Sequence, residues 1–146
     1  MWALAAMNAA EKNFPQPPSS PSWLDLAKNV FDTQAARWDD STCDGGLRFQ
    51  IFSFNSGYDY KSTAAQATFF LLAARLALYT KNETYADWAN KAWDWTTQTE
   101  LITKDFKVFD GTRVSDKCNT INKLQWSYTA AAFTYGSAVM FNYVSD

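Results

Sequence analysis

The 146-residue sequence contains no histidine and only two cysteines, Cys43 and Cys118. Without histidine, a nucleophilic triad that uses imidazole as its base is excluded, and so are zinc sites built on imidazole. Two thiols are too few for an all-cysteine zinc site, so neither a metal nor a cofactor is expected. The pair permits two readings: one disulfide closing a loop of about 75 residues, which would contribute roughly 4 to 5 kcal/mol by the chain-entropy argument, or two free buried thiols. Positive charge is not in excess either, with 13 Lys and Arg against 15 Asp and Glu and a net charge of -2. A chain with no basic stripe is not expected to bind nucleic acid or an anionic membrane surface. No apolar run reaches the roughly 20 residues of a membrane span. The opening "MWALAAMNAA" lacks the basic lead and cleavage site of a secretory signal, and reads as helix.

What is abundant is aromatic surface: 17% of residues, among them 7 Trp. Such a content serves a crowded helical core or flat platforms for sugar rings. Asn82-Glu83-Thr84 is an N-glycosylation sequon, and Asn82 is a candidate for that modification. A sequon and a possible disulfide both tilt toward a secreted protein.

Hydrophobic periodicity predicts five helices. The first runs from Met1 to about Lys12 and ends at the proline-rich linker 13–22. Ser22 then caps a second helix, with Asp25 in the box position. Its apolar stripe runs through Trp23, Leu26, Ala27, Val30, Phe31 and Trp38, with Asp25, Lys28, Asn29 and Asp32 facing outward. Residues 39–63 read as a long irregular stretch with a short strand pair between Gly46 and Phe54. Residues 64–79, "AAQATFFLLAARLALY", are apolar on nearly every side, as in a helix buried all round. Thr84 is expected to cap an amphipathic helix whose Trp88, Trp93 and Trp95 follow the buried face. A final buried helix is expected from about Asn122 to Tyr143. Buried and amphipathic helices thus alternate, as in a toroid where an inner ring of helices is wrapped by an outer one. The long loops 39–63 and 99–121 would collect at one end, where a pocket forms. Five helices do not close such a ring, so the chain reads as part of a larger domain.

"RWDDSTCDGG", residues 37–46, holds the one pair of adjacent carboxylates, Asp39 and Asp40. Two carboxylates a few ångström apart are what a glycoside hydrolase needs, and two solvated aspartates at a helix end look the same in a sequence.

Three stretches decide how that pair is read. "WLDLAKNVFDTQAARWDDSTCDGGLRFQIFSFNSGYDYK", "FFLLAARLALYTKNETYADWANKAWDW" and "VFDG" resemble, in order and spacing, the fungal cell-wall, α-1,6-mannanase-like branch of glycoside hydrolase family 76. The resemblance covers essentially the whole chain. It implies an all-α fold, part of an (α/α)6 barrel with about five of its helices present, so that residues 1–146 form a partial domain truncated at both ends. It also implies action with retention on α-1,6-mannose linkages of mannan or of the glycosylphosphatidylinositol core glycan, by hydrolysis or transglycosylation. The partner is then a mannose-containing glycan. The location is the secreted space, cell surface or cell wall, with a lipid anchor as an option for the full-length protein.

The family's catalytic pair is also two adjacent aspartates, at the start of an inner helix, and "MWALAAM" matches the residues just after them. The resemblance therefore puts the pair upstream of Met1, makes Asp39 a helix-end residue and leaves Asp40 at a variable position. Arg48, Tyr60 and Asp110 match pocket-side loops and are the candidate substrate-binding residues. Arg48 can equally brace a loop, and Asp110 can equally be a turn residue before Gly111. Ser62, Gln66, Thr129, Ala131 and Phe49 stand where the family commonly has Asn, Asn, Asn, Gly and Trp, which predicts either an altered sugar pocket or a decaying copy. Two other classes stay open: a non-catalytic mannan-binding or wall-interaction module, and a non-functional gene remnant.

Overall fold

The structure, a computed structural model, describes residues 1–16 and 21–145. Four residues of the expected proline-rich linker, 17–20, lie outside that range. The described residues form five helices: α1 (Trp2–Glu11), α2 (Trp23–Ala35), α3 (Thr63–Thr80), α4 (Glu83–Gln98) and α5 (Ser127–Ser145). They also form three short strands, β1 (Tyr60–Ser62), β2 (Gly111–Arg113) and β3 (Ile121–Asn122), and a 3-10 turn at Val114–Asp116.

The central helix α3 packs against α1, α2, α4 and α5. Its sequence dictates this, because Ala67, Phe69, Phe70, Leu71, Leu72, Ala73, Ala74, Leu76 and Ala77 are buried on every side. A helix apolar all round gains free energy only when surrounded, at about 25 cal/mol per Å² of apolar surface removed from water. The outer helices α2 and α4 bury one face each. Phe31 of α2 stacks on Phe69 at 5.4 Å, and Trp88 of α4 meets Phe69 at 5.7 Å. Trp93 packs against Phe70 and Phe133, and Trp95 is buried, so this tryptophan set is core. Gly136 lets α5 lie close to α3: a β-carbon there would sit 2.5 Å from the Phe70 ring.

Arg75, only 3% exposed, is the one charged side chain within the buried stretch of α3. Glu11 of α1 takes both its Nε and Nη2 donors, at 2.9 and 2.8 Å, and Asn8 accepts at 2.5 Å. This bidentate pair fixes α1 against α3 by geometry that an aliphatic contact would not supply.

Several expectations are met at the level of single bonds. The Ser22 hydroxyl accepts from the Asp25 N–H at 3.0 Å and donates to its carboxylate at 2.6 Å. Others are corrected. The strand pair does not fall between Gly46 and Phe54. Phe49, Ile51, Phe52 and Phe54 are all exposed there, so their alternation faces no core, and the ladder forms instead between β1 and β2, Tyr60 opposite Arg113. Gly111 makes that pairing possible, because a β-carbon on it would lie 2.6 Å from the Lys61 carbonyl oxygen. The cap of α4 is Asn82, not Thr84: its side-chain oxygen accepts from the Thr84 N–H at 3.0 Å. The last helix begins at Ser127, because Ile121 and Asn122 are drawn into β3 beside β2. Val30, expected in the buried stripe of α2, is exposed.

The order inner, outer, inner, outer, inner matches the predicted alternation, and the chain folds as part of an (α/α)6 barrel. The long loops meet where α3 begins. β1 leads directly into α3, and the Cys43–Cys118 disulfide joins the loop after α2 to the segment after β2. That bond settles the choice between a disulfide and two thiols.

Candidate functional site

Two polar clusters occupy the loop end, and the sequence candidates divide between them. The first is built on Asp39. One carboxylate oxygen accepts from the Ser41 N–H and hydroxyl at 3.1 and 2.6 Å; the other accepts from the Thr42 hydroxyl at 2.5 Å and the Arg48 Nε at 2.9 Å. Lys61, fully buried, sets its ammonium 3.4 Å from the same carboxylate. It also donates to the carbonyl oxygens of Asp39, Thr42 and Gly45. Burial by itself raises the Asp39 carboxyl, but the hydroxyls of Ser41 and Thr42 and the charges of Lys61 and Arg48 outweigh it and hold the group well below the usual carboxylate range. Desolvation lowers the Lys61 ammonium, against the pull of Asp39.

Gly45 and Gly46 close this clamp at φ +132° and +94°. Their backbone lies so near Trp95 that a β-carbon on Gly46 would be 2.6 Å from the indole. Arg48 braces the clamp: it also donates to the Tyr58 carbonyl at 3.0 Å and lies over the Tyr58 ring. Asp40 points elsewhere, accepting from the Trp38 indole N–H at 2.9 Å and pairing with Lys91 at 3.3 Å. The adjacent aspartates thus engage separate partners and do not converge on one reaction centre.

The second cluster unites Tyr60 and Asp110. The Tyr60 hydroxyl donates to Asp110 Oδ2 at 2.6 Å, Asn122 Nδ2 donates to the same oxygen at 2.9 Å, and the Trp126 indole N–H donates to Oδ1 at 2.8 Å. The backbone holds this corner in place. The Asp110 N–H bonds the Asn122 carbonyl at 3.0 Å, and the Asp110 carbonyl accepts from Thr63, the first residue of α3, at 2.8 Å. A carboxylate offers about four lone-pair positions, and donors from the described residues take three here, leaving one for a further donor. Trp126 is 45% exposed, with its plane fixed by the bond to Asp110. The Tyr60 ring is more enclosed, against Gly111 on one side and the Arg113 guanidinium at 5.7 Å.

Burial, with the hydrogen bond to Asp110 adding to it, pushes the Tyr60 phenol up to about 12, while Asn122 and Arg113 act in the opposite direction. A phenol raised in the folded state favours folding fully below pH about 10, and that contribution is lost as pH climbs toward 12. Tyr85 is raised as well, by burial and by the charge of Asp32, so in a spectrophotometric titration Tyr60→Phe should take one phenol out of the late-ionising part of the curve and leave the rest.

Asn122, Trp126 and Lys61 were missed from sequence. Trp126 carried a signal, as a lone tryptophan in the polar run "INKLQW" ahead of the last helix. The residues that depart from the family pattern have local work. Ser62 caps α3, accepting from the Ala65 N–H at 3.2 Å, and the Gln66 amide both accepts from Leu47 N–H at 3.1 Å and donates to its carbonyl at 2.8 Å. Thr129 is buried and donates to the Trp126 carbonyl at 2.8 Å. An apolar groove of about 620 Å³ between α1 and α2 is lined mainly by Ala, Trp23 and Leu26, with Asn8 and Lys12 the polar residues among its described lining.

The sequence profile of glycosyl hydrolase family 76 matches residues 1–146. The chain belongs to that family. A mannan endo-1,6-α-mannosidase of Saccharomyces cerevisiae, Dcw1, is 48% identical over 148 residues, covering 99% of this chain and 33% of the relative. The Candida albicans mannan endo-1,6-α-mannosidase Dfg5 is 43% identical, covering 100% of this chain and 33% of its own length. The crystal structure of Dfg5 from Chaetomium thermophilum in complex with glucosamine superposes with a TM-score of 0.95 at 50% identity, over 99% of this chain and 36% of that one. An inactive α-1,6-mannanase variant from Salegentibacter, with two aspartates replaced and α-1,6-mannotetrose bound, shares the fold at 16% identity and a TM-score of 0.79, over 99% of this chain and 40% of that one. The chain spans about a third of the length of the curated relatives it matches.

Proposed function

We propose that this chain is part of a fungal cell-wall enzyme acting with retention on α-1,6-mannose linkages, and that its Asp110 corner binds one sugar of the substrate. The observation that carries the reading is the Asp110 carboxylate, held by three donors with one position open, beside the exposed Trp126. A sugar hydroxyl donating to that position makes a charge-assisted hydrogen bond, and the C–H face of a pyranose packs on the indole. The relatives named as mannan endo-1,6-α-mannosidases, and the Dfg5 relative carrying glucosamine, support glycan as the ligand class.

Retention requires two carboxylates about 5 to 5.5 Å apart. Asp39 and Asp40 are engaged separately, so the catalytic pair is proposed to come from a segment of the full-length protein outside these residues. Exposed apolar side chains on α1 and α5, among them Trp2, Tyr128, Tyr135 and Phe141, support the same arrangement: they are edges against which further barrel helices pack. The location that fits is the secreted space or cell wall.

Titration of the chain with α-1,6-mannotetraose tests this. Binding without turnover is expected, and Asp110→Ala should weaken it tenfold or more, about 1.4 kcal/mol. Unchanged affinity in that variant, or hydrolysis by the chain alone, would overturn the proposal.

A further inference from the structure

The sequon is not used by the glycan-binding corner, and the structure gives it a setting of its own. Lys81 ends α3 in the left-handed region at φ +54°, its N–H bonded to the Ala77 carbonyl at 2.8 Å. The chain then turns, and Asn82 takes an extended backbone at φ -100° and ψ 116°. Lys81, Asn82, Glu83 and Thr84 are all exposed. The cap on α4 uses only the carbonyl half of the Asn82 amide, accepting from the Thr84 N–H at 3.0 Å. Nδ2 has no protein acceptor among the described residues, and Tyr79, three positions earlier in the last turn of α3, is exposed. The Cys43–Cys118 disulfide independently points to an oxidising compartment, where N-glycosylation also takes place.

We propose that Asn82 is an N-glycosylation site in this protein. In the transfer, Nδ2 bonds to the anomeric carbon of a lipid diphosphate-linked oligosaccharide. The C–O bond to the diphosphate breaks, and the lipid diphosphate leaves with the electron pair as the amide gives up one proton. The carbonyl oxygen is untouched, so the modified residue still caps α4. α3 has 18 residues, about 27 Å at 1.5 Å each, and separates this turn from the Asp110 corner at its other end. The glycan therefore leaves the sugar-binding corner open, and the inference is independent of the proposed function.

The chain is produced behind a secretory signal in a fungal host, and both cell-associated and secreted pools are digested with peptide N-glycosidase and mapped by mass spectrometry. Expected is a mobility shift that the enzyme removes, with Asn82 converted to Asp. Asn82→Asp keeps a helix-capping carboxylate and Thr84→Ala keeps the Asn82 cap, yet both should lose the shift, while Thr84→Ser should retain it. Import of the newly translated chain into microsomes reads the same acceptor without requiring a stable fold. Unmodified Asn82 in disulfide-bonded chain, or in imported chain, would overturn the proposal. Mannotetraose affinity should be equal with and without the glycan.

Discussion

Asp39→Ala should destabilise the protein by about 3–5 kcal/mol, whereas Asp40→Ala should cost less than about 1 kcal/mol. The two residues are neighbours of identical chemistry, and only their surroundings differ. The Asp39 side chain is 13% exposed and that of Asp40 69%. Removing the Asp39 carboxylate leaves the Lys61 ammonium, with no exposure at all, facing three carbonyl oxygens and no carboxylate in contact, with only the more distant charge of Asp40 acting on it; Arg48 loses its anion as well. An uncompensated buried cation is costly because the attraction that offset its desolvation is gone. Asp40 pairs with a half-exposed Lys91, where solvent screens the charges. Urea midpoints of the two variants check this, and equal midpoints would show that the clamp is not the seat of stability proposed here.

The acid limb gives a second readout of the same group. The folded-state carboxyl of Asp39 lies well below its unfolded value of about 4, so its contribution is complete above that pH and is lost as pH falls further. The stability gap between the wild-type protein and Asp39→Ala should narrow below pH about 4.

Opening the disulfide should have a comparable effect. Replacing both Cys43 and Cys118 by serine frees the unfolded chain from a closed loop of 75 residues, a constraint worth about 4.5 kcal/mol in the chain-entropy account. The loss should be concentrated at the loop end. Cys43 offers its carbonyl to the Trp95 indole N–H at 2.8 Å, and Cys118 donates its N–H to Arg113 at the end of β2. The helical circular dichroism should therefore change little at low denaturant while the midpoint falls and Trp95 becomes more accessible to quenchers. A midpoint unaltered by reduction would show that the loops are held without the bond.

The sequence by itself determined the helices, their inner and outer alternation and the family. The reasons are local: α3 is apolar on all sides, α2 and α4 repeat apolar residues at helical spacing, and Ser22 and Asp25 cap each other across three positions. The resemblance also made Asp39 a helix-end residue, and in the structure Asp39 follows α2 and ties down the loop that comes after it. What the tertiary structure decided lies in the loops. The strand ladder moved to Tyr60–Ser62 and Gly111–Arg113, the buried Lys61 became the centre of a clamp, and Asn122 and Trp126 joined Tyr60 around Asp110. Tyr60 and Asp110 are 50 positions apart and Arg75 reaches Glu11 across 64. Helical periodicity is written within four residues of chain, but contacts of that range carry no periodic signal. They exist because packing α3 among its neighbours brings distant loops to one end, where each buried charge and donor must find a partner.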